Sequence, residues 1–303
     1  MMLESFLVQI VIYTTVYTLA TLGIVIAGRT GIFIVAGEGI MLSSASAGFI
    51  VAYLSGSWVL GFVIGALMGA LFGLILIVLH ETFLVSQFIL GICLVILGLG
   101  LSDLLYKIII GIMLTPPLAP LVPKISIPLL SSIPVAGALF RHDLIVYFMY
   151  LATFAAYWFF YKTRLGLETR AIGENPKAAD VVGVNVKMRR FVSTIVGAAL
   201  IGIAGAYLPI IVTKAYAPEI SAGRGFMAIG IAIFASWKPQ RAILGGFLFA
   251  AIEVISYQLQ LSPIGVPYQF FLMLPFVSVL LIMMIFKKKV EFPESIGKPY
   301  SRE

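Results

Sequence analysis

Apolar residues run through this chain in blocks about as long as a bilayer is thick, separated by short polar joints. Nine blocks stand out, at 6–28, 36–55, 58–79, 83–110, 143–161, 191–212, 225–236, 242–260 and 267–286; a helical crossing needs roughly 20 residues. Two are atypical. Segment 36–55 carries Glu38 and a cluster of serines, and 225–236 is short. Both suit broken or re-entrant helices, which occur only where irregular backbone is packed in protein or lines a cavity. The pattern predicts an all-α integral membrane protein, a polytopic bundle of about 8–10 transmembrane helices. Its organisation is a membrane domain over 1–286, interrupted by a polar loop at 162–190 and followed by a basic tail at 287–303.

Composition supports this class. With 61% hydrophobic and 11% charged residues and a mean hydropathy of +1.10, a soluble globule is excluded. The opening residues Met1–Glu4 lack a basic region and the block that follows is long enough to cross, so it reads as a first helix and not as a cleaved leader. The single cysteine, Cys93, lies in an apolar run. It excludes a disulfide frame and a thiol metal site, and reads as a small buried hydrophobe.

Charge orients the map. The net charge is +7, and in a chain of this class an excess of Lys and Arg marks the cytoplasmic loops. Loop 162–190 holds Lys162, Arg164, Arg170, Lys177, Lys187, Arg189 and Arg190. The tail holds Lys287, Lys288, Lys289, Lys298 and Arg302, and the joint 237–241 adds Lys238 and Arg241. Four crossings between 191 and 286 put all three on one side, the cytoplasmic one. The proline-rich connection 111–140, with Pro116, Pro117, Pro120, Pro123, Pro128 and Pro134, then falls outside. Counting nine crossings back puts the N-terminus outside too, and one re-entrant segment would reverse that end.

Small residues indicate how helices meet. Gly61, Gly65, Gly69 and Gly73 repeat every four residues along one helix face, and Ala198, Gly202 and Ala206 repeat the pattern. Such stripes let backbones approach closely, either within the chain or between subunits. No internal repeat is evident.

Enzymatic chemistry finds no support. The only histidines, His80 and His142, sit apart near predicted span ends, so no helix carries a paired-His zinc site. There is no nucleophile-elbow motif and no phosphate-binding P-loop. Basic residues flank spans, which argues against nucleic acid. Ionisable residues at membrane depth do need a reason. Glu38 lies between Gly37 and Gly39; Glu253 is followed by Ser256 and Tyr257; Asp103 is deep or marks a span end. These carboxylates, with Ser43, Ser44 and Ser46, either line a polar path for a hydrophilic solute or bond to neighbouring helix ends. Serine also bonds its own helix backbone.

The longest polar run before the tail is Thr169-Arg170-Ala171-Ile172-Gly173-Glu174-Asn175-Pro176-Lys177-Ala178-Ala179-Asp180. Asn175 before Pro176 is a cap-then-proline start signal, and a short helix over 173–181 outside the bilayer is expected. Followed by Gly183-Val184-Asn185-Val186, the run resembles the cytoplasmic coupling segment of ABC-importer permeases, in the branch serving nucleosides and simple sugars, kin to ribose and branched-chain amino-acid permeases. Three further stretches resemble that branch: Gly31–Gly39, Gly202–Tyr207 and Gly223–Ile229. Two positions depart from its N-terminal pattern, Ile34 where the family has Asn and Ala36 where it has Gly. Both make the segment more apolar and weaken any claim on a ribose-like group.

The resemblance implies a permease subunit forming half of a translocation path for a small polar solute. Its partners would be a second permease subunit, homologous or identical, ATP-binding-cassette ATPase subunits and an extracytoplasmic solute-binding protein. ATP and Mg would be bound by the ATPase, and this chain would carry no cofactor. Gly173, Glu174, Asn175, Pro176, Lys177, Ala178, Ala179 and Asp180 would form the ATPase contact. Within it Glu174, Lys177 and Asp180 would be exposed, and Ala178 and Ala179 closely packed. The path residues would be Glu38, Ser43, Ser44 and Glu253. Two other functions compete: a secondary transporter or channel working without an ATPase, and an assembly protein with no path.

Overall fold

The computed structural model describes residues 2–111, 113, 115–126, 136–261, 265, 267–286 and 291–300. Pro128, Pro134, Lys287, Lys288, Lys289 and Arg302 lie outside them. All nine predicted blocks are helical. They form α1 (Met2–Gly28), α2 (Gly37–Ser55), α3 (Trp58–Phe83), α4 (Gln87–Ile109), α5 (Leu144–Lys162), α8 (Val186–Tyr207), α9 (Arg224–Phe234), α10 (Pro239–Gln260) and α11 (Tyr268–Phe286). Between α5 and α8 lie two polar helices, α6 (Arg164–Glu174) and α7 (Pro176–Val181). Among the described residues seven helices are long and apolar enough to cross a membrane, and α9 and part of α11 are shorter apolar helices. The proline-rich connection adds a small hairpin of β1 (Lys124–Ser126) and β2 (Arg141–Asp143), with Lys124 opposite Asp143.

The bundle has two distinct ends. At one, which carries α6 and α7, the Arg29 Nε–H donates to the Trp237 carbonyl at 2.7 Å and the Ser295 amide to the Gly173 carbonyl at 2.9 Å. At the other, which carries the hairpin, the Ala119 amide donates to the Lys214 carbonyl at 2.8 Å and the Tyr207 hydroxyl to Asp143 Oδ2 at 2.8 Å. Helix α1 therefore runs from the hairpin end to the loop end, and the described tail returns to the loop end. Loop 162–190, the joint 237–241 and the tail share one end, as their charges imply.

The two atypical blocks have one explanation. Helix α2 does not start at the bundle's end. Residues 32–36 lead inward as non-helical chain, the Phe33 amide bonding Gln87 Oε1 at 2.6 Å at the foot of α4, and Gly39 packs on Leu94 and Gly98. From Gln87 to Gly98 is about 16 Å along a helix, roughly half the thickness of a hydrocarbon core. Helix α9 is the counterpart from the opposite end. Residues 213–223 lead inward from the hairpin end, with left-handed backbone at Lys214, Glu219, Ala222 and Gly223, and α9 covers only the remaining distance. The full-length α2 and the short α9 meet tip to tip, Gly37 and Glu38 against Gly225.

A repeat that the sequence conceals follows from these contacts. Helices α1–α4 and α8–α11 are the same sequence of elements run in opposite directions. Helices α1 and α8 cross at Gly23 and Gly197, where a methyl group on either would collide with the other's carbonyl oxygen. Helix α3 packs on α8 and α10 on α1, while α2 packs on α8 and α9 on α1. Exchanged partners of this kind are what a two-fold axis in the membrane plane produces. The two small-residue stripes pack on each other within the chain: Gly65, Gly69 and Gly73 of α3 face Ala198, Gly202 and Ala206 of α8. Cys93 departs from expectation, lying exposed on the outward face of α4.

Candidate coupling segment and intramembrane carboxylates

Three side-chain caps build the polar loop. Thr163 Oγ1 accepts from the Gly166 amide at 3.0 Å and starts α6. Asn175 Oδ1 accepts from the Ala178 amide at 3.0 Å and starts α7, and Asn185 Oδ1 accepts from the Met188 amide at 3.0 Å and starts α8. Each satisfies an amide that the first turn of a helix leaves unpaired. Gly183, at φ +87°, ends α7; its amide bonds the Asp180 carbonyl and Val184's the Ala179 carbonyl. A residue with a Cβ is strained in that backbone.

The structure corrects the expected helix over 173–181. Asn175 has extended backbone, φ −146° and ψ 95°, because the residue before a proline is pushed out of the helical region. Gly173 and Glu174 therefore end α6, and only 176–181 form α7. Exposure also differs. Glu174 and Lys177 are exposed and Ala179 is buried, but Ala178 is exposed and Asp180 half-buried. Helix α7 rests one narrow face on the loop, where Ala179 joins Ile172, Val186 and Tyr300, so its neighbour Ala178 points away. Gly173 is buried, its Cα against the Arg29 carbonyl with no room for a methyl group. At the end of α7, Val181 and the following Val182 are 87% and 78% exposed.

Both intramembrane carboxylates are bonded to helix ends and side chains of the bundle. Glu38 Oε1 accepts from the Ser221 hydroxyl at 2.5 Å and the Gly223 amide at 2.8 Å, and Oε2 accepts from the Gly225 amide at 2.7 Å. A residue of α2 thus caps the free N-terminus of α9, where amide groups and helix dipole favour an anion. Glu253 Oε1 accepts from Arg224 Nη2 at 2.6 Å, Arg224 Nε at 3.0 Å and the Tyr257 hydroxyl at 2.9 Å; Oε2 accepts from the Tyr17 hydroxyl at 2.6 Å. Ser43 bonds the Gly39 carbonyl of its own helix at 2.8 Å, and Ser46 bonds the Ser102 carbonyl at 2.7 Å. Ser44 is buried against Gly202. Asp103 is partly exposed and pairs with Lys107 at 3.7 Å. The structure brings Glu38 and Glu253 together at the start of α9, where they bond the adjacent residues Gly225 and Arg224, whereas Ser43 bonds its own helix and Ser44 lies against Gly202 of α8.

Sequence reasoning missed three buried residues. Arg224 stood only as part of a glycine-rich stretch, yet it is the charge partner of Glu253. Arg190 counted as a topology charge, yet it is fully buried, bonding Glu81 Oε1 at 2.8 Å and the Thr30 carbonyl at 3.0 Å. Gln87 pins the 32–36 lead-in to α3, its amide nitrogen 2.8 Å from His80 Nε2. No spacing rule pairs residues so far apart in sequence. The usable signal was Glu81 and His80 at the close of an apolar run, both in need of partners.

The structure is thus a multi-helix membrane bundle with a capped polar helix pair at one end and a short helix, α9, inside it. The sequence matches, over residues 6–286, the family described as branched-chain amino acid transport system, permease component, and the chain belongs to that family. It is similar to a putative glucose ABC transporter permease of Haloferax volcanii, 32% identical over 81% of this chain and 75% of that protein. It also resembles the guanosine ABC transporter permease of Bacillus subtilis, 28% identical over 95% of this chain and 94% of that protein. A nucleoside ABC transporter permease of Lactococcus lactis is 30% identical over 98% of this chain and 97% of its own length. The chain is a multi-pass permease subunit of an ABC transporter.

Proposed function

We propose that this chain forms half of the translocation path of an importer for a nucleoside or simple sugar, driven by a separate ATPase that holds ATP and Mg. Family membership supports the permease role, and the solutes named for the relatives support the substrate class. The capped pair α6–α7 carries the coupling reading. It is aqueous, rigidly founded on Ile172, Gly173 and Ala179, and presents Glu174, Lys177 and the apolar Val181 and Val182 outward. Exposed apolar side chains beside charges are what a soluble partner covers. Closure of that partner would move α6–α7 as a body. On this reading the loop end, with its basic residues, faces the cytoplasm. The hairpin end, where a cavity of about 600 Å³ is lined by Val8, Pro120, Lys124, His142 and Lys214 among others, receives the solute-binding protein. A second permease subunit, identical or homologous, completes the path.

The test is affinity purification of this chain from its native membrane in mild detergent. An ATPase is expected to accompany it and to be lost when Glu174→Arg and Lys177→Glu are combined. A preparation without ATPase that still moves guanosine or glucose in vesicles without ATP would sink the proposal.

A further inference from the structure

We infer that the C-terminal segment 291–300 is a strap that positions the α6–α7 pair on the membrane bundle and carries its motion to α2 and α9. This rests on the reading of 173–180 as the ATPase contact. By sequence alone the tail is a run of positive charge. In the structure it closes the end of α6. Ile172 and Gly173 lie in the last turn of that helix, where carbonyl groups have no partner within the helix. Ser295 supplies one from more than a hundred residues away. Its amide donates to the Gly173 carbonyl at 2.9 Å, and its hydroxyl lies 2.7 Å from the same oxygen and 3.1 Å from the Ile172 carbonyl.

The same few residues reach the membrane elements. The Gly297 amide donates to the Gly31 carbonyl at 3.1 Å, at the start of the lead-in to α2. The Phe292 ring meets Trp237 edge-on at 6.2 Å. Trp237 is fully buried in the turn that ends α9, at φ +56°. Tyr300, 6% exposed, sits among Ile172, Ala179 and Val186 and under the Arg190 guanidinium. One short segment therefore bonds the end of α6, packs on α7, and holds the outer ends of both chain stretches whose tips meet at Glu38 and Gly225. A tail that only oriented the protein by charge would need none of these contacts. A displacement of α7 by a partner reaches α2 and α9 directly through them.

The experiment compares Ser295→Ala with Tyr300→Ala, combined, against the parent in the complex isolated with its ATPase and reconstituted into vesicles. Losing one hydroxyl bond and one buried ring is expected to lower solute moved per ATP hydrolysed roughly tenfold, with ATPase recovery and the apparent solute affinity unchanged. Hydrogen exchange of amides in 164–181 should quicken in the variant, and Ser295→Thr, which keeps the hydroxyl, should restore most of the ratio. Unchanged exchange, or faster exchange with an unchanged ratio, overturns the strap. The Glu174 and Lys177 reversal reads the ATPase contact separately, so retention of the ATPase there faults that contact and not the tail's grip on α6.

Discussion

Arg224 and Glu253 put opposite charges inside the bundle, 7% and 5% exposed, with Nη2 and Oε1 2.6 Å apart. The pair is tolerable because its bonding is nearly complete. Two guanidinium nitrogens and two tyrosine hydroxyls reach the carboxylate, Arg224 Nη1 reaches the Ile220 carbonyl at 3.0 Å, and the Tyr13 ring lies 5.4 Å from the guanidinium. Removing one partner strands the other charge, which costs about 3–5 kcal/mol, whereas replacing both with apolar groups of similar size is often near neutral. Arg224→Ala is therefore expected to lower the unfolding temperature sharply in detergent, and Arg224→Met with Glu253→Leu to recover most of the loss. Additive losses in the double variant would show that the charges do not act as a pair. At this scale the sequence was half legible. Glu38 and Glu253 announce themselves as carboxylates in apolar runs, with a solute path and a structural bond evenly open for Glu38 and the structural bond favoured for Glu253. Their donors, Ser221, Gly225 and Arg224, sit on an element whose depth and direction only the packed bundle defines.

The glycine stripe of α3 shows what an element reveals alone. Its four-residue period marks a face for close approach, and the matching stripe on α8 can be read beside it, but nothing in either says that they face each other. In the structure Gly69 lies against Gly202 and the Ala198 carbonyl without space for a methyl group. Gly69→Ala is expected to cost about 1–3 kcal/mol through forced separation of the helices. Gly100 of α4 is the control. It is exposed, and a Cβ there meets nothing within 4 Å, so Gly100→Ala should be neutral or gain about 0.5–1 kcal/mol from helix propensity. Thermal unfolding of the purified chain checks both. If the isolated chain is unharmed while Gly100→Ala breaks up the assembled transporter, a partner subunit packs on that face. The breaks in elements were less legible than their lengths. The short block 225–236 signalled a half-helix, whereas α2 keeps the full length of block 36–55, and nothing in its pattern shows that it starts inside the bundle.

For the whole molecule, direction decides function, and the fold links it to α2 and α9. Each non-helical lead-in plus its helix makes one net crossing: α2 from the loop end to the hairpin end, α9 from the hairpin end back. Among the described residues each of the nine blocks therefore leads from one end of the bundle to the other, and α1 begins at the end opposite the described tail. A re-entrant α9 that returned to its own side would instead separate the joint 237–241 from the polar loop. Accessibility to a membrane-impermeant maleimide distinguishes these, once Cys93 is replaced by serine. Glu219→Cys and Arg241→Cys flank α9, and both positions are exposed, as is Lys177. Lys177→Cys and Arg241→Cys are expected to label only in inside-out vesicles, and Glu219→Cys only in right-side-out ones. Labelling of 219 and 241 from the same side would contradict the crossing. Labelling of 177 from outside would reverse the proposed orientation, and with it the side from which an ATPase could reach α7. The inverted repeat makes the outcome more than a map. With α2 entering from one end and α9 from the other, and their tips joined through Glu38, the Ser221 hydroxyl and the Gly223 and Gly225 amides, movement of one lead-in pulls on the other. On the proposed coupling, a partner acting on α7 at the loop end would alter the hairpin end through these joined lead-ins.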